Sequence, residues 1–165
     1  MARTHEGTTG KSTRKSSEAA RGKASALLHE DHVRVQEMFK EYRKADASRK
    51  QELARSICSE LKVHTRIEEE LFYPSLRDAA GDTAMLDEAE VEHASAKQLI
   101  KEIESMQPDD RLYDAKITVL GEYVNHHIRE EEKEMFPQAK KSGIDNAEMA
   151  DQLRQRKQEL QQAVH

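Results

Sequence analysis

Residues His64 to Pro74 read HTRIEEELFYP, and residues His127 to Pro137 read HIREEEKEMFP. Each copy has a histidine, a glutamate four residues on, an aromatic nine residues on and a proline ten residues on. On an α-helix, residues i and i+4 share a face and stand about 5.4 Å apart along the axis. Histidine and glutamate so placed present a nitrogen and an oxygen donor in the same direction. Two such pairs on facing helices form a closed donor set for a metal cation, and the rest of the chain reads as the scaffold that brings them together.

Outward from these stretches the apolar residues keep a helical period. A first helix is expected over about 24–45, with Leu28, His32, Val35, Phe39 and Tyr42 on its stripe. A second runs from a cap at Ser48 to about 80, with Leu53, Ile57, Leu61, His64, Glu68 and Leu71. There Pro74 is expected to kink or shorten the helix, because its ring removes a backbone donor. Gly81 ends that helix and Asp82 caps the third, about 83–106, with Leu86, Ala89, His93, Ala96, Ile100 and Ile103. Pro108 separates it from the fourth, about 110–141, capped by Asp109 or Asp110 and carrying Tyr113, Ile117, Leu120, Val124, His127 and Glu131. After Ser142-Gly143, a fifth helix over about 146–163 is capped by Asp145, with Glu148 completing a capping box. The short connections near 46, 81 and 108 force antiparallel neighbours. The expected fold is all-α: an up-down-up-down four-helix bundle over 24–141, a disordered basic tail over 1–23, and a short C-terminal helical extension over 142–165.

Composition agrees. Glycine and proline are scarce, 6 and 3 in 165 residues, and 36% of the chain is charged, as suits helices and a single domain. Cys58 is the one cysteine, which excludes an intramolecular disulfide and fits a reducing, cytoplasmic setting. No apolar run approaches the ~20 residues that span a bilayer, and no secretory signal opens the chain. Residues 1–25 hold six Lys or Arg against two Glu on an otherwise acidic chain. That arm has no aromatics and only scattered charge, which argues for a disordered tail and against nucleic-acid binding.

In each of the four bundle helices a histidine falls on the buried stripe, and two of these histidines have a glutamate one turn away. One histidine on an apolar face reads as a satisfied core residue; the recurrence on four helices does not. Burying two carboxylates without a cation costs several kcal/mol each, or forces them to stay protonated. A rise of about 1.5 Å per residue from the end bearing the 46 and 108 loops sets His32 and His93 ~21–22 Å deep, His64 and His127 ~27–28 Å deep, and Glu68 and Glu131 ~33–34 Å deep. The halves match level for level. The spread of ~12 Å is wide for one ion and compatible with two bridged by carboxylates. Mixed imidazole and carboxylate donors suit iron or manganese better than structural zinc.

Asp31-His32, His64 with Glu68-Glu69 and Tyr73-Pro74, Glu92-His93, and His127 with Glu131-Glu132 and Phe136-Pro137 together resemble the hemerythrin-like, HHE cation-binding family. The resemblance covers about residues 24–141. It implies a four-helix bundle around two non-haem iron ions with an oxo or hydroxo bridge, held by His32, His64, Glu68, His93, His127 and Glu131, with Glu68 and Glu131 as the bridging carboxylates. The oxygen-carrying members place a second histidine four residues after the one corresponding to His93; Lys97 stands there in this chain. They also carry an Asp five residues after the fourth-helix histidine, where this chain has Glu131 at four. Fewer imidazoles imply a position open to a small ligand, and so reaction with peroxide, oxygen or nitric oxide rather than reversible oxygen carriage.

Glu90 and His29 each stand three positions before an expected ligand and could add a donor or lie at the stripe's edge. His126 points about 100° away from His127 and is set aside. Tyr42, Tyr73, Tyr113 and Tyr123 read as core, with one available to hydrogen-bond a bound oxygen species. Two functions remain open: a di-iron protein that binds or turns over a small diatomic or peroxide ligand, catalase-like if an enzyme, or an iron-sensing or iron-storing module whose occupancy controls folding or partner binding.

Overall fold

The computed structural model describes residues 22–81 and 83–163, and all regular structure in them is helical. The tail expected over 1–23 falls almost entirely outside the described residues, as does the Asp82 cap. Helix α1 spans Ala24–Lys44, α2 Ala47–Ile67, α3 Tyr73–Ala79, α4 Ala84–Ser105, α5 Tyr113–Glu130, α6 Phe136–Ser142 and α7 Ala147–Ala163. Single π-helical turns, Glu68–Phe72 and Glu131–Met135, join α2 to α3 and α5 to α6. Each pair therefore forms one continuous rod, and four rods make the up-down-up-down bundle. α7 packs across α1, α2 and the first π-turn.

The prolines explain the π-turns. In an α-helix the ring of Pro74 would meet the carbonyl four residues back. Here Tyr73 N–H bonds instead to the Glu68 carbonyl, and Phe136 N–H to that of Glu131. The wider i→i+5 turn makes room for the ring without ending the helix. Neither helix kinks out of the bundle or stops at its proline, as the sequence had suggested; each swells by one turn, and both turns begin at the buried glutamate.

Several expected caps are displaced. Asp46, not Ser48, opens α2, its Oδ1 accepting Arg49 N–H at 2.9 Å. Thr83 and Leu112 precede α4 and α5 without side-chain caps, and Asp110 instead accepts Gln107 N–H at 2.8 Å inside the connection. Gly143 ends α6 as expected, at φ 80°, a conformation that favours glycine. Asn146 rather than Asp145 caps α7, accepting Met149 N–H at 2.9 Å. Asp145 is taken by Ser25, whose N–H and hydroxyl donate at 2.9 and 2.6 Å.

The core is divided in two. Val35, Phe39, Leu53, Ile57, Leu61, Ile100, Ile117, Leu120 and Val124 fill the end carrying the 46 and 108 connections. There Gly121 lets α5 approach α1 closely, since a Cβ would sit 3.1 Å from Phe39 Cδ1. Leu28, Ile67, Phe72, Leu76, Leu86, Met135, Met149 and Leu153 fill the other end. A belt of buried polar residues separates them: His32, His64, Glu68, His93, His127 and Glu131. Each large apolar side chain in these clusters supplies roughly 1.5–3 kcal/mol of burial, while the belt supplies none and carries a desolvation cost.

Candidate metal centre

The six residues of the belt converge. Ligand atoms of His32, His64, Glu68 and Glu131 lie within 4.8 Å of one another, and those of Glu68, His93 and His127 form a second such group. The ~12 Å axial spread closes because side chains lean toward the N-terminus of their own helix. On the antiparallel rods, His32 and His93 lean deeper while Glu68 and Glu131 lean back. The two groups share Glu68. Its Oε1 lies 2.7 Å from His64 Nε2, and its Oε2 lies 3.2 Å from His93 Nε2. Glu131 Oε2 lies 3.1 Å from His32 Nε2 and 3.7 Å from His127 Nε2.

These contacts are short, but they are not satisfied as hydrogen bonds. Glu68 Oε1 and Glu131 Oε2, on residues with 0% exposure, find no hydrogen-bond partner among the described residues. His32 Nε2 and His64 Nε2 face each other at 3.2 Å, as do His93 Nε2 and His127 Nε2 at 3.1 Å. Nitrogen and oxygen atoms directed at common points are what a cation requires. The donor set fits metal cations on that evidence.

An outer ring of acids fixes the imidazoles. The Nδ1 atoms of His32, His64, His93 and His127 pair with Glu132 at 2.8 Å, Asp31 at 3.2 Å, Glu69 at 2.9 Å and Glu92 at 2.6 Å. Each imidazole thus has its Nδ1 edge held outward and its Nε2 turned inward, the arrangement that orients histidine ligands. The acids are held in turn. Lys97 Nζ donates to Glu69 Oε2 at 2.5 Å, so the residue at the carriers' extra histidine position braces an outer acid. Lys157 and Arg34 hold Asp31.

His29, Glu90 and His126 do not join the inner set. His29 is exposed and pairs with Glu132 at 2.6 Å. His126 is exposed and pairs with Glu130 at 3.0 Å. Glu90 lies on the exposed face of α4. Tyr73 is the residue that periodicity placed with the generic core. Its buried hydroxyl donates to Glu68 Oε2 at 3.1 Å and Glu131 Oε1 at 3.3 Å, and lies 3.1 and 3.3 Å from His127 Nε2 and His93 Nε2. The signal was its place one residue before each repeat's proline, but the second repeat has Phe136 there, which hid it. The phenol oxygen could itself occupy a ligand position beside His93 and His127.

Without a cation, protons hold the centre together. Burial opposes charge on His93, yet Glu68 and Glu69 outweigh it and raise the imidazole to about 9. His64 is likewise buried, and Glu68 and Asp31 raise it well above its usual value. Glu68 is driven well below the usual carboxylate range, since His64 and His93 outweigh its burial. Burial and the carboxylates of Glu131 and Glu68 push the Tyr73 phenol far up, so it stays protonated. Tyr73→Phe would leave those carboxylates short of a donor. The metal-free variant is expected to lose about 1–3 kcal/mol, read by urea denaturation against the metal-free wild type.

A small cavity of about 40 Å³ adjoins the imidazoles on the side of the first core cluster. Val35, Leu61, Ala96, Val124 and Ile128 give it an apolar wall facing the four histidines.

Residues 23–139 match the family described as Hemerythrin HHE cation binding domain. A crystal structure of a hemerythrin HHE cation binding domain-containing protein from Mycobacterium kansasii, a homologue of Rv2633c, superposes with a TM-score of 0.74 at 21% identity. The match covers 86% of this chain and 88% of that one. A protein named DNA nickase from Nostoc sp. (strain PCC 7120) is 29% identical over 113 residues, which is 67% of this chain and 31% of that protein. This chain therefore spans about a third of that relative's length.

Proposed function

Because this chain belongs to the hemerythrin HHE cation-binding domain family, we propose that its centre holds two non-haem iron ions and reacts with a small oxidant, hydrogen peroxide foremost. His32, His64, Glu68 and Glu131 would hold one ion. His93 and His127, with the other oxygen of Glu68 and the Tyr73 hydroxyl beside them, would hold the second. A donor set of nitrogen and oxygen without thiolate favours iron or manganese over structural zinc. Cys58 sits apart in the apolar core, where burial and nearby Glu104 push its thiol up to about 12. The buried single cysteine supports a cytoplasmic setting.

A pair of iron ions supplies a reversible store of two electrons. The chain supplies the rest. The outer acids keep the imidazole Nε2 atoms aimed inward, Tyr73 holds a proton at its hydroxyl beside the second position, and the apolar wall restricts water. The cavity carries the reading: about 40 Å³ beside four imidazoles is room for a diatomic or a peroxide. Among the described residues no helix is long and apolar enough to cross a membrane.

The test is peroxide turnover by iron-loaded protein. Two peroxide molecules become one oxygen and two water molecules, one being oxidised and the other reduced by two electrons. Sustained oxygen release, many molecules per centre in an oxygen electrode, is expected. A single oxidation of the iron pair with no oxygen released would instead favour the second reading, an iron-storing or iron-sensing module. What favours that reading is the pair of wholly buried carboxylates, which ties the bundle's stability to its occupancy.

A further inference from the structure

The four outer acids are not equivalent. Glu132, Glu69 and Glu92 are 32%, 30% and 26% exposed, whereas Asp31 is 5% exposed and is sealed by Lys157, itself 13% exposed. The two oxygens of Asp31 face opposite ways: Oδ2 toward His64 Nδ1 at 3.2 Å, and Oδ1 toward Lys157 Nζ and, at 3.2 Å, Arg34 Nη1. Lys157 comes from α7, which lies beyond residue 139, where the family match ends. α7 is firmly seated. Ala150 and Leu153 are completely buried and Met149 nearly so. Arg156 forks onto Glu70 at 2.6 and 3.2 Å, and the Ser25–Asp145 bonds fasten the start of α1 to the turn before α7.

We infer that the C-terminal helix is a working part of the metal centre: Lys157, acting through Asp31 on His64, sets how firmly the cation on the His32–His64 side is retained. This rests on the reading of the centre as a two-cation site. A buried aspartate left with only the exposed Arg34 guanidinium in place of its ammonium partner is poorly compensated. It relaxes toward Arg34 and water, and His64 loses the anchor that aims its Nε2. Lys157 is a positioning residue, since it touches neither cation position. Among the described residues the His93–His127 side has no connection to α7 of this kind, so the effect falls on one ion of the two. Outer partners of this sort change metal affinity by about 10–100-fold.

The experiment uses the full chain, loaded anaerobically with ferrous iron, and follows capture of that iron by an excess of a coloured ferrous chelator, with circular dichroism to confirm the fold. Lys157→Met keeps the stem and removes the charge; Lys157→Arg keeps both. Wild type is expected to release two irons slowly. K157M should release one of the two about 10-fold faster and the other unchanged, with K157R close to wild type. Release of both irons at the wild-type rate from K157M, or equal acceleration of both, overturns the inference. Arg156→Ala removes another anchor of α7 without touching Asp31 and is expected to leave release unchanged. If it speeds the same iron as much as K157M does, the cause is helix docking in general and the role of Lys157 falls. If K157M does not fold, Asp31→Asn tests the same link with the same expectation. Wild-type uptake of fewer than two irons would instead sink the two-cation reading itself.

Discussion

Glu68→Gln is expected to empty both cation positions, whereas His93→Ala is expected to empty one. Glu68 is the residue common to the two ligand groups, with one oxygen 2.7 Å from His64 and the other 3.2 Å from His93. The amide keeps the volume and shape of the side chain, so the π-turn and the core around it should persist. What it loses is a full negative charge at 0% exposure, between two would-be dications. Removing one partner from a buried charge pair costs about 3–5 kcal/mol, which is roughly 10²–10⁴-fold in affinity at each position it serves. His93 reaches the second group alone, so its loss should leave the His32–His64 side loaded. Metal content per chain, measured after gel filtration, gives both answers. Retention of one tightly bound iron by E68Q would show that Glu68 serves a single position and does not bridge.

The four rods, their direction and the six converging residues were legible because the stripe positions are set by helical period alone, which survives errors at the helix ends. Caps were misread where another capping residue stood within two positions of the expected one. Asp46 and Ser48, or Asp145 and Asn146, differ only in which backbone N–H lies within reach, and tertiary pairing decides; Asp145 was claimed by Ser25. The π-turns were hidden for a different reason. A proline signals a missing donor, but whether the helix breaks, kinks or widens depends on packing beyond it, here Phe72, Leu76 and Ala139 in the second core cluster. Tyr73 was not separated from the other tyrosines because its counterpart in the repeat, Phe136, carries no hydroxyl, and Lys157 was missed because it lies in a helix that the repeat does not contain. Glu90 shared the depth of a ligand but not its azimuth, and depth alone could not exclude it.

Removing the metal should reveal how costly the polar belt is. At free cation about 1,000 times Kd, each site adds about 4 kcal/mol to folding, about 8 kcal/mol for the two, so chelation is expected to lower Tm by roughly 15–30 °C for a chain of this size. The pH dependence of the two forms should differ. In the metal-free chain His93 is raised to about 9 from an unfolded value near 6.5. A group raised in the folded state contributes stability that is complete below 6.5 and is lost as pH rises through about 9. His64 is shifted in the same direction. Metal-free protein should therefore lose a few kcal/mol between pH 6.5 and 9, as protons leave imidazoles that were neutralising Glu68. In the loaded protein the cations do that neutralising, and neutral imidazoles are the ligating form. Its stability should hold across the same window, and loading at neutral pH should release protons. Urea denaturation of chelated and loaded protein at pH 6.5, 8 and 9 reads the difference directly. A metal-free protein whose stability is flat or rises across that window would mean that the imidazoles are already neutral, and that something other than protons compensates the two buried carboxylates.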